Sequence, residues 1–275
     1  RCSIKTDRGS VLLRAARGQE EMWVRILLAL LLPTLASGLS SAAAVPRAVL
    51  LDLITPLDRG FAATREQKRA VADAIETLAA SVSQQSVPDI GGDWELVYTD
   101  APDILGLDVQ AGPLATCTRI GQQISEEDGT ISNVIEYGPR EWASSFVTQA
   151  QGDRLQQRVI TSFARRDDAP TKVDLKIRGA AFLPKQLLGI SLDAVPPLKL
   201  QGVFEPPFGA FEVLYCEGPE GPTSAAALSD QMDAVCEIDE LAGVGECSSI
   251  RVVRTQQGYY SINRRMTAQE GWGPA

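Results

Sequence analysis

Three groups of residues in this 275-residue chain could do chemistry: a tryptophan with distant arginines, two strand-borne carboxylates, and five cysteines. Gly92-Asp93-Trp94 opens an aromatic-rich strand, and the distant stretch Ile250 to Ile262 carries Arg251 and Arg254. In a small β-barrel a ring can plug one end while a guanidinium lies across its face or bonds to neighbouring backbone. On that reading Gly92, Trp94, Arg251 and Arg254 close a container. The alternative is that the guanidiniums hold a carboxylate or diphosphate head group. Glu95 and Glu212 are the candidates for carboxylate acid–base work, although alternation sets each opposite the aromatic face of its strand.

Other chemistry is restricted by what the chain lacks. It has no histidine, which removes the Ser-His-Asp and Cys-His systems and the usual His-containing zinc sites. Cys2, Cys117, Cys216, Cys236 and Cys247 show no C-x-x-C spacing, so neither a metal centre nor a cofactor is expected. Cys236 and Cys247 could form a bridge across a short loop, or all five could be free or buried thiols. Net charge is −9, but eight acidic residues and no Lys or Arg lie between Glu217 and Cys247, so the remainder carries only −9 + 8 = −1. The acidity belongs to one insertion and argues against nucleic acid as a partner.

The N-terminal region reads as an address. Residues 1–21 are polar, contain no Met and read as a gene-model extension. From Met22, a basic start, the apolar run Ile26 to Leu32 and the small residues up to Gly38 make a signal peptide. The run is shorter than the roughly 20 residues of a membrane span. Leu39 to Arg47, rich in Ser and Ala and free of acids, has transit-peptide composition, giving a presequence over 22–47. A bipartite plastid presequence and ordinary secretion both fit it.

The elements that would position the candidate residues follow. Val49, Leu50, Leu53 and Ile54 are helically spaced, Pro56 ends that helix, and Asp58-Arg59-Gly60 supplies a turn. Thr64 to Gln67 fits a capping box, and Val71, Ala74, Ile75 and Leu78 form one apolar stripe of a docking helix. Beyond Pro88, runs at 94–100, 116–125, 130–137, 144–150, 155–163, 171–178, 197–204, 210–216, 249–255 and 259–264 read as strands. Trp94, Leu96 and Tyr98 share one face by alternation, as do Phe211, Val213 and Tyr215. Glu126 to Gly129 and Gly152-Asp153 read as hairpin turns. Ala180 to Pro197 breaks the alternation, predicting a short apolar helix or lid at the barrel mouth, or a loop packed outside. The fold class is mainly β with some α: an antiparallel barrel with N-terminal helices on it. The barrel spans 92–264, with an insertion at 217–249 and a tail from 265.

The order of motifs resembles the plastid lipid-associated protein (PAP)/fibrillin family over most of residues 48–264. The resemblance rests on Leu50-Leu51 to Ile54, Asp58-Arg59-Gly60, Gly92 to Thr99 with Pro102 to Gly106, Ile120 to Ile124, Asn133 to Glu136, Phe211 to Tyr215, and Ile250 to Arg254 with Gly258 to Tyr260. It implies a lipocalin-like barrel in the plastid, peripherally associated with thylakoids or plastoglobules. It also implies a non-catalytic role in binding or organising an apolar lipid such as a carotenoid, quinone or acyl lipid. Inward residues Trp94, Leu96, Tyr98, Ile124, Phe163, Phe211, Val213 and Tyr215 would line the lumen, unless they are plain core. Alternatives are a lipid-modifying enzyme of lipocalin type, or an adaptor that holds a plastid lipid-biosynthesis enzyme through the docking helix or the acidic insertion.

Overall fold

The computed structural model describes residues 44–82, 88–144, 154–187, 190–192, 194–202, 209–218 and 248–273. Helix α1 (Ala44–Ile54) runs into a 3₁₀ turn at Thr55–Leu57, where Pro56 stops it. Asp58, Arg59 and Gly60 then adopt φ of 43°, 57° and 99°, reversing the chain. Gly60 is required there, because a Cβ would lie 2.0 Å from the Thr99 carbonyl oxygen. Helix α2 (Arg65–Ala80) opens with the expected capping box: the Gln67 amide donates to Thr64 Oγ1, and the Thr64 amide donates to Gln67 Oε1.

The strands are β1 (Gly92–Thr99), β2 (Ala115–Ser125), β3 (Thr130–Pro139), β4 (Arg154–Arg166), β5 (Ala169–Leu187), β6 (Ile190–Ser191), β7 (Leu198–Gln201), β8 (Gly209–Cys216), β9 (Ile250–Thr255) and β10 (Tyr260–Arg265). Short helices α3 (Pro102–Leu105), α4 (Leu107–Gln110) and α5 (Glu141–Ser144) punctuate them. Strands β1–β5 and β8–β10 close an eight-stranded antiparallel barrel in which β4 pairs β5 and β10 returns to β1. Closure leaves these strands without a free edge along their paired lengths.

Two expectations about elements change. Ala180 to Leu187 is not helical: β5 continues through it, and β7 and β6 pair with it. Pro184 is tolerated because it falls in the gap between the β7 and β6 pairings and sits opposite Leu155 at a register shift of β4–β5. Of the expected strand 144–150, Ser144 ends α5, and the rest, like Gly152-Asp153, lies outside the described residues. Cys236, Cys247 and residues 219–247 also lie outside them. The ends of that insertion are nevertheless placed. Strands β8 and β9 are paired neighbours, and the Ser249 hydroxyl donates to the Gly218 carbonyl, so the two ends of the insertion meet at one end of that pair.

Both flanks of the barrel are covered. Leu50, Leu51 and Ile54 of α1 and Val71, Ile75 and Leu78 of α2 pack on Tyr98, Leu214, Ile250, Val252 and Ile262, the outer face of β1 and β8–β10. Arg47, counted above into the presequence, is a buried residue of α1 whose Nε lies 2.6 Å from Glu217 Oε1. On the opposite flank Met266 and Trp272 pack on Val134, so the segment past β10 is a strap rather than a free tail. Arg158, fully buried, donates to the Trp272 and Gly273 carbonyls and to Gln123 and Gln156. Gly121 allows this approach: a Cβ there would meet Trp94 O at 2.0 Å and Trp272 at 2.5 Å.

Candidate functional site

The inner face of the barrel has a packed end and an accessible end. At the packed end Trp94 is fully buried and its Nε1 donates to the Ile90 carbonyl at 2.9 Å. Ile124, Ile131, Val173, Phe211, Val213 and Val253 surround it, with Phe163, Leu175 and Cys216 against the cluster. Leu96 belongs to a second inner cluster with Cys117, Ile120 and Ile135, covered by Phe61, Ile104 and Leu107.

The three arginine and glycine positions flagged above, Gly92, Arg251 and Arg254, behave differently from one another. Gly92 sits at φ 108°, and a Cβ there would meet Arg265 Nη1 at 2.7 Å. Arg251 lies over the Trp94 ring at 4.6 Å, on the inner face. Arg254 does not join it: it faces outward, bonding Glu212 at 2.8 Å and Glu76 of α2 at 3.2 Å. The second guanidinium at the ring belongs instead to Arg265, 4.4 Å from the centroid, with Nη1 donating to the Gly91 carbonyl.

Bulges decide the next difference. The β1–β10 register steps from Leu96↔Asn263 to Tyr98↔Ile262, so Val97 is an extra residue in β1. The same happens in β8, between Val213↔Val253 and Tyr215↔Val252. A one-residue insertion inverts the side of everything after it. Tyr98 and Tyr215 therefore leave the lumen face assigned by alternation and lie outside, under the helices. There the Tyr215 hydroxyl donates to Glu217 Oε1 at 2.6 Å, whereas the Tyr98 hydroxyl is buried with no hydrogen-bond partner among the described residues. Burial raises the pKa of both phenols.

The carboxylates Glu95 and Glu212 do not meet. Glu95 faces outward between Arg119 and Arg264, and Glu212 faces outward to Arg254. Neither reaches the lumen, so the geometry offers no carboxylate pair there.

What alternation could not identify is a polar wall inside the barrel. Gln122 of β2 pairs with Asn133 of β3, its Nε2 donating to Asn133 Oδ1 at 2.8 Å, and its Oε1 accepts from Arg251 Nη2. Asn263 of β10 lies opposite Arg251 in the register. These inward polar residues follow only from the pairing, since each sits alone among apolar neighbours in sequence. The facing wall, from β4, β5 and β8, is apolar: Phe163, Val173, Leu175, Phe211 and Val213.

Arg251 has 0% exposure and Arg265 Nε and Nη2 are buried too; neither forms an ion pair among the described residues. Arg251 Nε and Nη1 also have no hydrogen-bond acceptor among the described residues. Desolvation, opposed in part by Cys216 and aided to a smaller extent by the nearness of Arg265, brings the Arg251 pKa down to about 10. Burial likewise pushes the Cys216 thiol up to about 11. An ion held away from water costs several kcal/mol, and a ring face returns about 2 kcal/mol of it.

The accessible end is marked by an inversion on β4. Near this end its inward residues Gln157 and Val159 are half-buried and Leu155 is 41% exposed, while its outward residues Gln156 and Arg158 are buried at 1% and 0% under the C-terminal strap; deeper along β4 the inward Thr161 is fully buried. At this mouth a cavity of about 320 Å³ is lined by Tyr137, Leu155, Pro184 and Gln186 among others. Beside it, β6 and β7 expose Ile190 (66%), Leu198 (65%) and Leu200 (55%).

A comparison with protein families finds that the model described as PAP_fibrillin matches residues 46–204, more than half of the chain. No curated protein and no solved structure matches it. The matched span ends before β8–β10, the strands that close the barrel.

Proposed function

From the premise that the chain belongs to the PAP/fibrillin family, we propose that it is a non-catalytic plastid protein that binds or organises an apolar lipid, inside its barrel and at a thylakoid or plastoglobule surface. The observation that supports this reading is the inversion on β4. Over residues 155–159 the inward side chains are less buried than the outward Gln156 and Arg158, the reverse of a barrel end plugged by its own core. An apolar wall reached through an open mouth suits a carotenoid, quinone or acyl chain, whose burial yields roughly 25 cal/mol per Å² of apolar surface. Tyr98 and Tyr215 drop out of the proposed lining, which keeps Trp94, Leu96, Ile124, Phe163, Phe211 and Val213. Exposed Ile190, Leu198 and Leu200 next to the mouth suit peripheral contact with a lipid surface.

The test is titration of purified protein with a plastoquinone analogue, a carotenoid and oleate while following tryptophan fluorescence. Saturable quenching that is reduced in Trp94→Phe is expected. Absence of quenching by any of the three would refute a lumen ligand.

A further inference from the structure

We infer that the Arg251–Trp94–Arg265 floor of the lumen is an oxyanion site, which receives the carboxylate or phosphate of an amphipathic ligand whose apolar part lies along the β4–β5–β8 wall. This deepens the lipid-binding reading above and rests on it only for the apolar part.

The two guanidiniums share one buried ring. Between them, Arg251 Nε and Nη1 and Arg265 Nε and Nη2 have no acceptor among the described residues, although all four atoms are shielded from solvent. Every other fully buried arginine of the described structure is satisfied differently. Arg47 is neutralised by Glu217, and Arg158 is surrounded by two carbonyls and two side-chain amide oxygens. Bracing the ring alone would not require two cations, and a ring face offsets only part of the cost of burying each charge. The nearby titratable groups do not supply the missing anion. Burial keeps the Cys216 thiol neutral near pH 7 and Asp89 accepts from the Gly91 amide. Glu126 is taken by Arg165 and the Ile90 amide.

Planar guanidinium forks match carboxylate and phosphate oxygens, and such bonds strengthen away from water. The wall chemistry agrees with an amphipathic ligand. Gln122, Asn133 and Asn263 form a polar strip leading to Arg251, and Phe163, Leu175 and Phe211 face them. Phe163 and Leu175 are only half-buried, so this apolar wall is itself partly accessible beside the floor.

The experiment is calorimetric titration of the whole chain with oleate, oleyl alcohol and inorganic phosphate, repeated on Arg251→Gln and Arg251→Lys. In parallel, the arginine Nε–H resonances of the wild-type protein are followed by NMR, so that a variant that fails to fold does not end the test. Oleate should bind roughly ten- to a hundredfold more tightly than oleyl alcohol, the Arg251→Gln variant should lose that difference, and Arg251→Lys should retain part of it. Two Nε–H signals should shift on adding oleate. Phosphate that binds, shifts the same signals and competes with oleate supports the oxyanion site and identifies a free anion as a second source. If phosphate binds and neither lipid does, the oxyanion site stands and the lipid reading fails. If oleate and oleyl alcohol bind equally with no Nε–H shift, the lipid reading stands and the oxyanion site is overturned. No binding by any of the three overturns both.

Discussion

Replacing Glu217 by Gln should unfasten the N-terminal helices from the barrel. The Glu217 carboxylate accepts from Arg47 Nε at 2.6 Å, from the Tyr215 hydroxyl at 2.6 Å and from the Ile250 amide at 2.7 Å. Its side chain and that of Arg47 are only 3% and 2% exposed, so water screens little of the pair. An isosteric amide keeps one acceptor oxygen for three donors and leaves the Arg47 guanidinium buried without a counter-charge. Removing one member of a buried ion pair costs about 3–5 kcal/mol, against about 1 kcal/mol for an exposed pair. For a domain of this size that corresponds to a fall in Tm of roughly 6–20 °C. Urea and thermal unfolding of wild type, Glu217→Gln, Arg47→Met and the double variant Arg47→Met/Glu217→Gln would measure it. The double variant should be less destabilised than the sum of the singles, because it no longer buries an unpaired charge. A loss below about 1 kcal/mol in Glu217→Gln, or strict additivity, would refute the pair as the fastening between α1 and the β8–β9 hairpin.

Other perturbations separate the remaining contacts. Gly121→Ala places a methyl 2.0 Å from Trp94 O and 2.5 Å from Trp272, so it should displace the strap and cost about 1–3 kcal/mol or more in urea unfolding; unchanged stability would show that the strap is not seated there. Tyr98→Phe removes a buried hydroxyl that has no partner among the described residues, and should leave Tm unchanged or slightly raised; a clear drop would mean the hydroxyl is satisfied in solution. Arg264, followed by the Thr267 amide, depresses the Glu270 carboxyl from 4.5 to about 2. Because the folded value is the lower one, this contribution is full above pH 4.5 and is lost as pH falls toward 2. Proteolysis of the strap should therefore accelerate across that window in wild type and show no such dependence in Glu270→Gln. Equal profiles would refute the role of Glu270.

Much of the fold was legible because its signals are local. The Thr64 capping box, the Val71-Ala74-Ile75-Leu78 stripe and most strand runs depend on residues within a few positions of each other, and the structure places them as read. The absence of histidine and the confinement of acidity to 217–247 restricted the chemistry before any coordinates. Gly92, Trp94 and an arginine on a late strand were recognisable as residue types that belong together.

What the chain alone could not specify is which way a side chain turns once strands pair. Nothing local in Leu96-Val97-Tyr98 or Val213-Leu214-Tyr215 marks a bulge; it exists because β1 and β8 must stay in register with β10 and β9, and it turns each tyrosine outward. Arg254 and Arg251 differ by an odd spacing on β9, so one faces the helices and the other the lumen. Arg264 and Arg265 are adjacent, and only the pairing Trp94↔Arg265 puts the second of them on the ring. Sequence thus determined which residue types were available and where strands and helices begin, because those are short-range preferences. Tertiary structure decided which guanidiniums were buried without a counter-charge among the described residues, because burial and sidedness are properties of the closed barrel.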